Sequence, residues 1–181
     1  MLISKYGNAR KKDILAICST LPEDFVAFLE KYNGGDTPET SFSIGKISSD
    51  IVAFYGIGDV KHSYSSITPF EVDGFHFLPI AFDSFGNQIV ITLENGIIAF
   101  LDHEKNTTPV ALANSFKNFL SLVKSKSIDP KHTKSVVERE KEMIARGKGA
   151  NISDALRTLW QNEIEKYSGY QQEEVLSLIH I

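Results

Sequence analysis

The chain has 181 residues, of which 42% are hydrophobic and 23% are charged, and its formal net charge is −4. This composition is typical of a globular protein with one domain, or with one domain and an appendage. General nucleic-acid binders need a basic surface to displace counterions from phosphates, so the acidic balance argues against that class. The single cysteine, Cys18, excludes a disulfide within the chain and a zinc site of the CxxC type.

Targeting signals are absent from the sequence pattern. The N-terminal residues lack the apolar segment of a signal peptide. No apolar run approaches the roughly 18 residues that a membrane-spanning helix needs. We therefore expect a cytoplasmic protein.

Two helices are predicted near the N-terminus, the first over about residues 9–18. Before the second, Thr20 and Glu23 fit a capping box, and Pro22 suits a first helical turn. The second helix has one apolar stripe at the spacing i, i+3, i+4, i+7, made of Phe25, Phe28, Leu29 and Tyr32. Asn33-Gly34-Gly35 ends it, because glycine adopts the left-handed conformation without steric penalty.

Strands are predicted at residues 42–44 and 51–57, followed by an irregular segment over residues 58–72. Residues 77–104 then indicate three consecutive strands joined by two turns, at residues 83–87 and 94–96. The pair Asn95-Gly96 between apolar runs predicts a hairpin with a type I′ turn. A short helix follows, capped by Asn114 or Ser115. Helices with aromatic faces and a mainly antiparallel sheet together predict an α+β fold.

The composition changes near residue 125, after which charged residues become dense. We therefore predict an α+β domain over residues 1–124 and a helical C-terminal extension over residues 125–181. One helix should run from Asp129-Pro130 to about Arg146, a second from near Ser153 to Gly169, and a third over residues 171–181. The second helix carries an apolar stripe that should face inward, formed by Leu156, Leu159, Trp160, Ile164 and Tyr167. The extension either packs on the domain or serves assembly, so the protein is a monomer or a homodimer through these helices.

No recognisable active site is present. The sequence contains no P-loop, HExxH, GxSxG or paired metal-ligand spacing. Asp102, His103 and Glu104 are metal-binding residue types, but adjacent strand residues point to opposite faces and cannot converge. We therefore predict no metal, no cofactor and no enzymatic activity. Asp83 and Asn87 flank Gly86, which predicts a turn with Asx-type hydrogen bonds, with ligand binding as the alternative.

Two segments resemble the SUKH (Smi/Knr-type) family. The first is LPEDFVAFLEKYNGG, a Leu-Pro-acidic helix closing on Tyr-Asn-Gly-Gly; the second is FLPIAFDSFGNQIVITL with the following GIIAFLDHE. The predicted helix after Asn114 resembles the last helix of the family. The resemblance covers about residues 9–123 and does not include the C-terminal extension.

The resemblance implies a twisted, mainly antiparallel sheet packed against helices, and a non-catalytic role in binding proteins. Bacterial relatives are regarded as immunity proteins that neutralise polymorphic toxins, often nucleases, and fungal relatives regulate cell-wall synthesis through protein contacts. Residues of the matching motifs are then architectural: Leu21, Pro22, Asn33, Gly34, Gly35, Pro79, Gly86 and Asn87.

The expected function is therefore that of an immunity protein with a toxin domain as its partner. Acidic side chains can mimic phosphates and steer association with a basic cleft. The candidate partner-binding residues lie in predicted loops or at strand ends, and they are Asp36, Glu39, Asp83, Asp102 and Glu104. A regulatory or scaffold protein that has no toxin partner, and that docks through the C-terminal helices, is the alternative. A small-molecule enzyme is a third.

Overall fold

The computed structural model describes residues 1–105 and 108–168 of the chain. These residues divide into two compact units: unit 1, Met1–Lys126, and unit 2, which begins at Ser127. The change in composition lies at residue 125, two residues before this division. Lys124 and Ser125 belong to unit 1 because they form a short strand there.

Unit 1 contains both helices and strands. Its helices are α1 (Lys11–Ile17), α2 (Glu23–Tyr32) and α3 (Phe116–Leu122). Its strands are β1 (Ser4–Lys5), β2 (Gly35–Asp36), β3 (Thr40–Ile44), β4 (Ile47–Asp50), β5 (Ala53–Phe54), β6 (Phe70–Val72), β7 (Phe75–Phe82), β8 (Gln88–Thr92), β9 (Ile98–Leu101), β10 (Val110–Ala113) and β11 (Lys124–Ser125). A short 3₁₀ helix covers Tyr64–Ser66.

The strands form two sheets. The larger sheet has the order β1-β2-β5-β7-β8-β9-β10, with β6 also paired to β7, and the smaller has the order β11-β3-β4. Neighbouring strands pair antiparallel throughout. The predicted central meander is β7-β8-β9, and the predicted α+β fold class is confirmed.

The helices cover one face of the larger sheet through aromatic side chains. The predicted stripe of α2 is fully buried, including Phe25, Phe28 and Tyr32. The ring of Phe28 lies 5.2 Å from that of Phe54 on β5 and 5.1 Å from that of Phe116 on α3. Burying each such ring contributes about 1.5–3 kcal/mol, so this cluster stabilises the packing of the helices on the sheet.

The predicted capping box at the start of α2 is wrong. The helix begins at Glu23 with Pro22 in the N-cap position, and no side chain caps it. Thr20 therefore lies too early in the chain to reach the first turn, and its hydroxyl contacts the sulfur of Cys18 instead. At the other end the prediction is confirmed, because Asn33 and Gly34 both have positive φ.

Two predictions about strands are corrected. The predicted strand over residues 51–57 is shorter, since only Ala53–Phe54 pairs, and β4 was not predicted at all. The turn at Asn95-Gly96 joins β8 to β9 as expected, but it is not of type I′. Gly96 has a φ of 72° whereas Asn95 does not have positive φ, and the side-chain oxygen of Asn95 accepts a hydrogen bond from the N–H of Ile97.

Unit 2 contains α4 (Val136–Ala145) and α5 (Asp154–Ser168), with short 3₁₀ helices at Pro130–Thr133 and Gly149–Asn151. The prediction of one helix from residue 129 to residue 146 is wrong. Lys134 and Ser135 have ψ values of 134° and 156°, so the backbone is extended between the two pieces. Ser135 and Glu138 form a capping box that starts α4 anew. Gly147, with a φ of 71°, follows its end as predicted.

The apolar stripe of α5 is less buried than predicted. Leu156, Trp160 and Ile164 are half-buried, but Leu159 is 62% exposed, so its inward placement is wrong. At 3.6 residues per turn, Leu159 lies roughly a quarter of a turn from Tyr167, at the margin of the inward face. Gly169 and the third predicted helix lie outside the described residues.

Candidate functional site

One row of paired residues crosses five strands of the larger sheet. Asp36 of β2 pairs with Ala53 of β5, which pairs with Phe82 of β7. Phe82 pairs with Gln88 of β8, which in turn pairs with Leu101 of β9. Neighbouring strands lie about 4.8 Å apart, so the row is about 19 Å wide.

The residues that follow this row lie at the same end of the sheet. They include Asp83, directly after β7, and Asp102, directly after β9, with Glu104 two residues farther along. Asp50, the last residue of β4, reaches the same place, since its carboxylate accepts a hydrogen bond from the N–H of Ser84 (3.0 Å). We call this end of the sheet the acidic end and define it by five residues: Asp36, Asp50, Asp83, Asp102 and Glu104. Four of the five predicted residues are therefore brought to one end of the sheet.

Asp83 is the buried member of the acidic end, with 2% of its surface exposed. Its carboxylate accepts hydrogen bonds from the N–H of Phe85 (2.9 Å) and from both the N–H and side-chain amide of Asn87 (2.8 Å each). The hydroxyl of Ser49 donates a further bond of 2.6 Å. The structure therefore assigns Asp83 to the predicted Asx-type turn, and leaves its carboxylate no surface for a partner.

The turn between β7 and β8 is tied to its neighbours on both sides. Asp50 holds the N–H of Ser84, as described above. The side-chain oxygen of Asn87 accepts the N–H of His103 (3.0 Å) and lies 2.9 Å from the ring nitrogen Nδ1 of the same residue. At its tip Phe85 is 71% exposed. The turn therefore presents an aromatic ring from a segment that is held at Ser84 and at Asn87.

Asp36 lies at the opposite side of the row, in a small polar cluster. Its carboxylate accepts hydrogen bonds from the hydroxyl of Tyr6 (2.7 Å) and the ammonium of Lys61 (2.8 Å). The ring of His62 lies 3.6 Å from Asp36 and packs against Phe82, 4.9 Å between ring centres. Burial lowers the pKa of His62 below its usual value, and the carboxylate of Asp36 only partly opposes this.

Asp102 and Glu104 lie in the turn after β9. The ammonium of Lys105 is 2.7 Å from the carboxylate of Asp102, and this hydrogen bond lowers the pKa of Asp102. The other oxygen of Asp102 accepts the N–H of Glu104 (3.0 Å), whose own side chain is exposed. Glu104 is thus a carboxylate directed at solvent, whereas Asp102 is partly neutralised.

Glu39, the fifth predicted residue, is not part of the acidic end. It lies in the loop between β2 and β3, is exposed and has a φ of 47°. Its carbonyl accepts a hydrogen bond from the N–H of Lys126 (3.0 Å). Glu39 thus lies in the loop three residues after Asp36, outside the five residues that define the acidic end.

Sequence reasoning missed two residues of this region, Asp50 and Phe85. Asp50 ends a strand that was not predicted, so nothing in the local pattern marked it. Phe85 did carry a signal, since an aromatic residue stands inside a turn whose other members are Asp83, Ser84, Gly86 and Asn87. Turns favour small and polar residues, so a ring there has no local structural purpose.

The described residues include neither a metal-binding cluster nor a membrane-spanning helix. Over residues 1–105 and 108–168, no group of three or more histidine, cysteine or acidic side chains is placed to hold a metal ion. In the same part of the chain, no helix combines the length and apolar character needed to cross a membrane. The acidic end and the neighbouring turn that carries Phe85 offer charge, hydrogen-bond acceptors and one exposed ring.

Known proteins support the resemblance seen in the sequence. The model of the SMI1/KNR4 family (SUKH-1) matches residues 15–122. A similar protein is the SPbeta prophage-derived uncharacterized protein YokK of Bacillus subtilis (strain 168), 28% identical over 138 residues, with 62% of this chain and 72% of the relative covered. No solved structure matches the chain. Since the family match spans more than half of the chain and contains α2, the β7-β8-β9 meander and α3, the chain belongs to the SMI1/KNR4 family (SUKH-1).

Proposed function

We propose that this protein is a cytoplasmic immunity protein that binds a cognate toxin domain and blocks its active site. The observation that carries the proposal is membership of the SMI1/KNR4 family over residues 15–122. Bacterial members of this family are regarded as immunity proteins, as stated above. The protein acts by binding alone and uses no cofactor.

The geometry of the acidic end supports this proposal. Asp36, Asp50, Asp102 and Glu104 lie at one end of the sheet. A toxin that acts on nucleic acid presents a basic cleft, and carboxylates placed at its mouth take the position of phosphates. Glu39 contributes from the neighbouring loop, and Asp83 contributes by holding the turn.

The proposal is tested by co-expression with the toxin domain encoded beside this protein. Cells that produce the toxin alone should stop growing, and cells that also produce this protein should grow. An unrelated toxin is the matched control and should stay lethal in its presence. Absence of rescue, together with absence of binding between the purified proteins, would refute the proposal.

A binding mechanism also predicts the stoichiometry of inhibition. Residual toxin activity should fall linearly with added protein and reach its minimum at about one equivalent, as expected for a tight complex. An enzyme that inactivates the toxin would act at far below one equivalent and would need time to do so. Titration at several incubation times separates the two.

The second candidate is a regulatory or scaffold protein that assembles through unit 2. The described helices of this unit bury no residue fully, and Val137, Ile144 and Leu159 are exposed apolar side chains. Light scattering of the full chain and of residues 1–126 tests this candidate. A dimer that becomes a monomer on truncation favours it, and so does Leu159→Glu if that variant is monomeric.

A further inference from the structure

We propose that Phe85 is the anchor of the partner-binding surface, and that its ring enters an apolar pocket surrounded by basic side chains on the toxin domain. This inference rests on the proposed function. It names the residue that supplies most of the affinity and the chemistry of the surface that receives it.

Within residues 1–105 and 108–168, the exposed ring of Phe85 has no role in packing. Its backbone N–H donates to Asp83, a contact that any residue except proline can make. Its side chain is 71% exposed. Ser84 and Gly86 on either side are also exposed and have a small side chain and none. Large aromatic side chains in such positions are the residues that dominate binding energy at protein interfaces.

The backbone of the turn that carries this ring has little conformational freedom to lose on binding. The carboxylates of Asp50 and Asp83 accept the backbone N–H groups of Ser84 and Asn87, on the two sides of residue 85. The N–H of His103 also donates to the side chain of Asn87. Gly86 has a φ of 90°, a conformation that glycine adopts without strain. A partner therefore pays little conformational entropy to bind the ring, since the loop is already ordered before contact.

The charges around the ring define the partner. Asp50 at the end of β4 and Asp102 directly after β9 each supply a carboxylate, and Glu104 supplies an exposed one two residues beyond Asp102. Lys105 is the cation in the turn after β9, and it is paired with Asp102. An apolar anchor inside an acidic rim is complementary to an apolar pocket inside a basic rim, and not to an acidic or neutral one.

The test compares Phe85→Ala with Phe75→Ala in the full chain. Phe75 is 48% exposed and begins β7, seven residues from Phe82, so it lies about 24 Å from the acidic end. The affinity of each variant for the purified toxin domain encoded beside this protein is measured by calorimetry. Phe85→Ala should weaken binding on the order of 100-fold, and Phe75→Ala less than about 3-fold. Both variants should keep the circular dichroism of the wild type.

The rim is tested by Glu104→Lys, with Glu71→Lys as the control for an exposed glutamate on β6. Glu104→Lys should lower the association rate about tenfold at low salt and less at high salt, because steering is screened by ions. Glu71→Lys should change the rate little.

The outcomes distinguish a failure of the Phe85 inference from a failure of the proposed immunity function. If the wild type binds the toxin and Phe85→Ala binds equally well, the anchor is refuted and the immunity function stands. If the wild type does not bind, the proposed function is refuted and the anchor with it. Loss of affinity in Phe85→Ala alone, with the control unchanged, supports both.

Discussion

Asp83 and Asn87 hold each other across the turn between β7 and β8. The carboxylate of Asp83 accepts the N–H and the side-chain amide of Asn87 at 2.8 Å each, and the N–H of Asp83 donates to the carbonyl of Asn87 at 3.1 Å. The same carboxylate also accepts Ser49 from β4. One buried side chain therefore closes the hairpin, joins the two sheets and fixes the backbone that presents Phe85.

Replacing this carboxylate should destabilise the protein. Asp83→Ala leaves the N–H groups of Phe85 and Asn87 and the hydroxyl of Ser49 without an acceptor, so we expect a loss of about 2–4 kcal/mol in the free energy of unfolding. Urea denaturation measures it. Asp102→Ala removes a half-buried carboxylate of the same region whose ion pair is with the exposed Lys105, and it should change stability little. Equal effects of the two substitutions would contradict the role assigned to Asp83.

Contacts between residues close in sequence could be predicted in this region, whereas contacts between distant residues could not. The turn at residues 83–87 was predictable, because an Asx turn depends on residues within four positions of each other. The position of Asp50 was not, since its contact with Ser84 spans 34 residues and needs the two sheets to be placed first. Likewise, the burial of α2 was visible in its spacing, whereas the paired row from Asp36 to Leu101 follows from strand order.

In unit 2 the local sequence pattern was itself ambiguous. Asp129-Pro130 is a sound helix start, and a 3₁₀ helix does begin there. Ser135 and Glu138 are an equally good start, and a local pattern cannot choose between one long helix and two short ones. The inward face of α5 was predicted from apolar residues alone, although the ion pair between Arg139 and Glu163 also determines which side faces α4.

Gly34 should tolerate no side chain. A Cβ there would lie 2.5 Å from the carbonyl oxygen of Tyr55, and its φ is 75°. We expect Gly34→Ala to lower the free energy of unfolding by more than about 3 kcal/mol, through both backbone strain and a clash with main-chain atoms. Gly45 has a similar φ of 60° but open space around it, so Gly45→Ala should cost only about 1 kcal/mol. Urea denaturation of both variants separates the clash from the strain.

His62 should make stability depend on pH. Burial lowers its pKa in the folded state, against the partial opposition of Asp36, and Lys61 lowers it further. The unfolded chain therefore binds the proton more readily, and the free energy of unfolding should fall as pH drops below about 6.5 towards the folded pKa. His62→Gln should remove this part of the dependence.

Urea denaturation between pH 5.5 and 7.5 measures the difference between the wild type and His62→Gln. As pH falls, the free energy of unfolding of His62→Gln should rise relative to that of the wild type. This difference should become constant below the folded pKa. An NMR titration of the His62 ring should give a pKa below that of a histidine in an unfolded peptide. A raised value, with stability greater at low pH, would contradict the assigned burial.

Arg139 should control the stability of unit 2. Its side chain is mostly buried, with Nη1 2.5 Å from the carboxylate of Glu163, Nε 3.0 Å from the carbonyl of Lys134 and the guanidinium 5.9 Å from the ring centre of Trp160. Among the described residues, Arg139→Ala leaves Glu163 with His132 as its partner, and it also exposes the indole, so we expect a loss of about 1–3 kcal/mol in the free energy of unfolding. Trp160 is the single tryptophan of the chain, so its fluorescence during urea unfolding reports on unit 2.

Arg146→Ala, one position beyond α4 and exposed, is the matched control and should leave the transition unchanged. If both variants shifted the fluorescence transition equally, the loss of a cation would account for the effect, and the contacts of Arg139 would not.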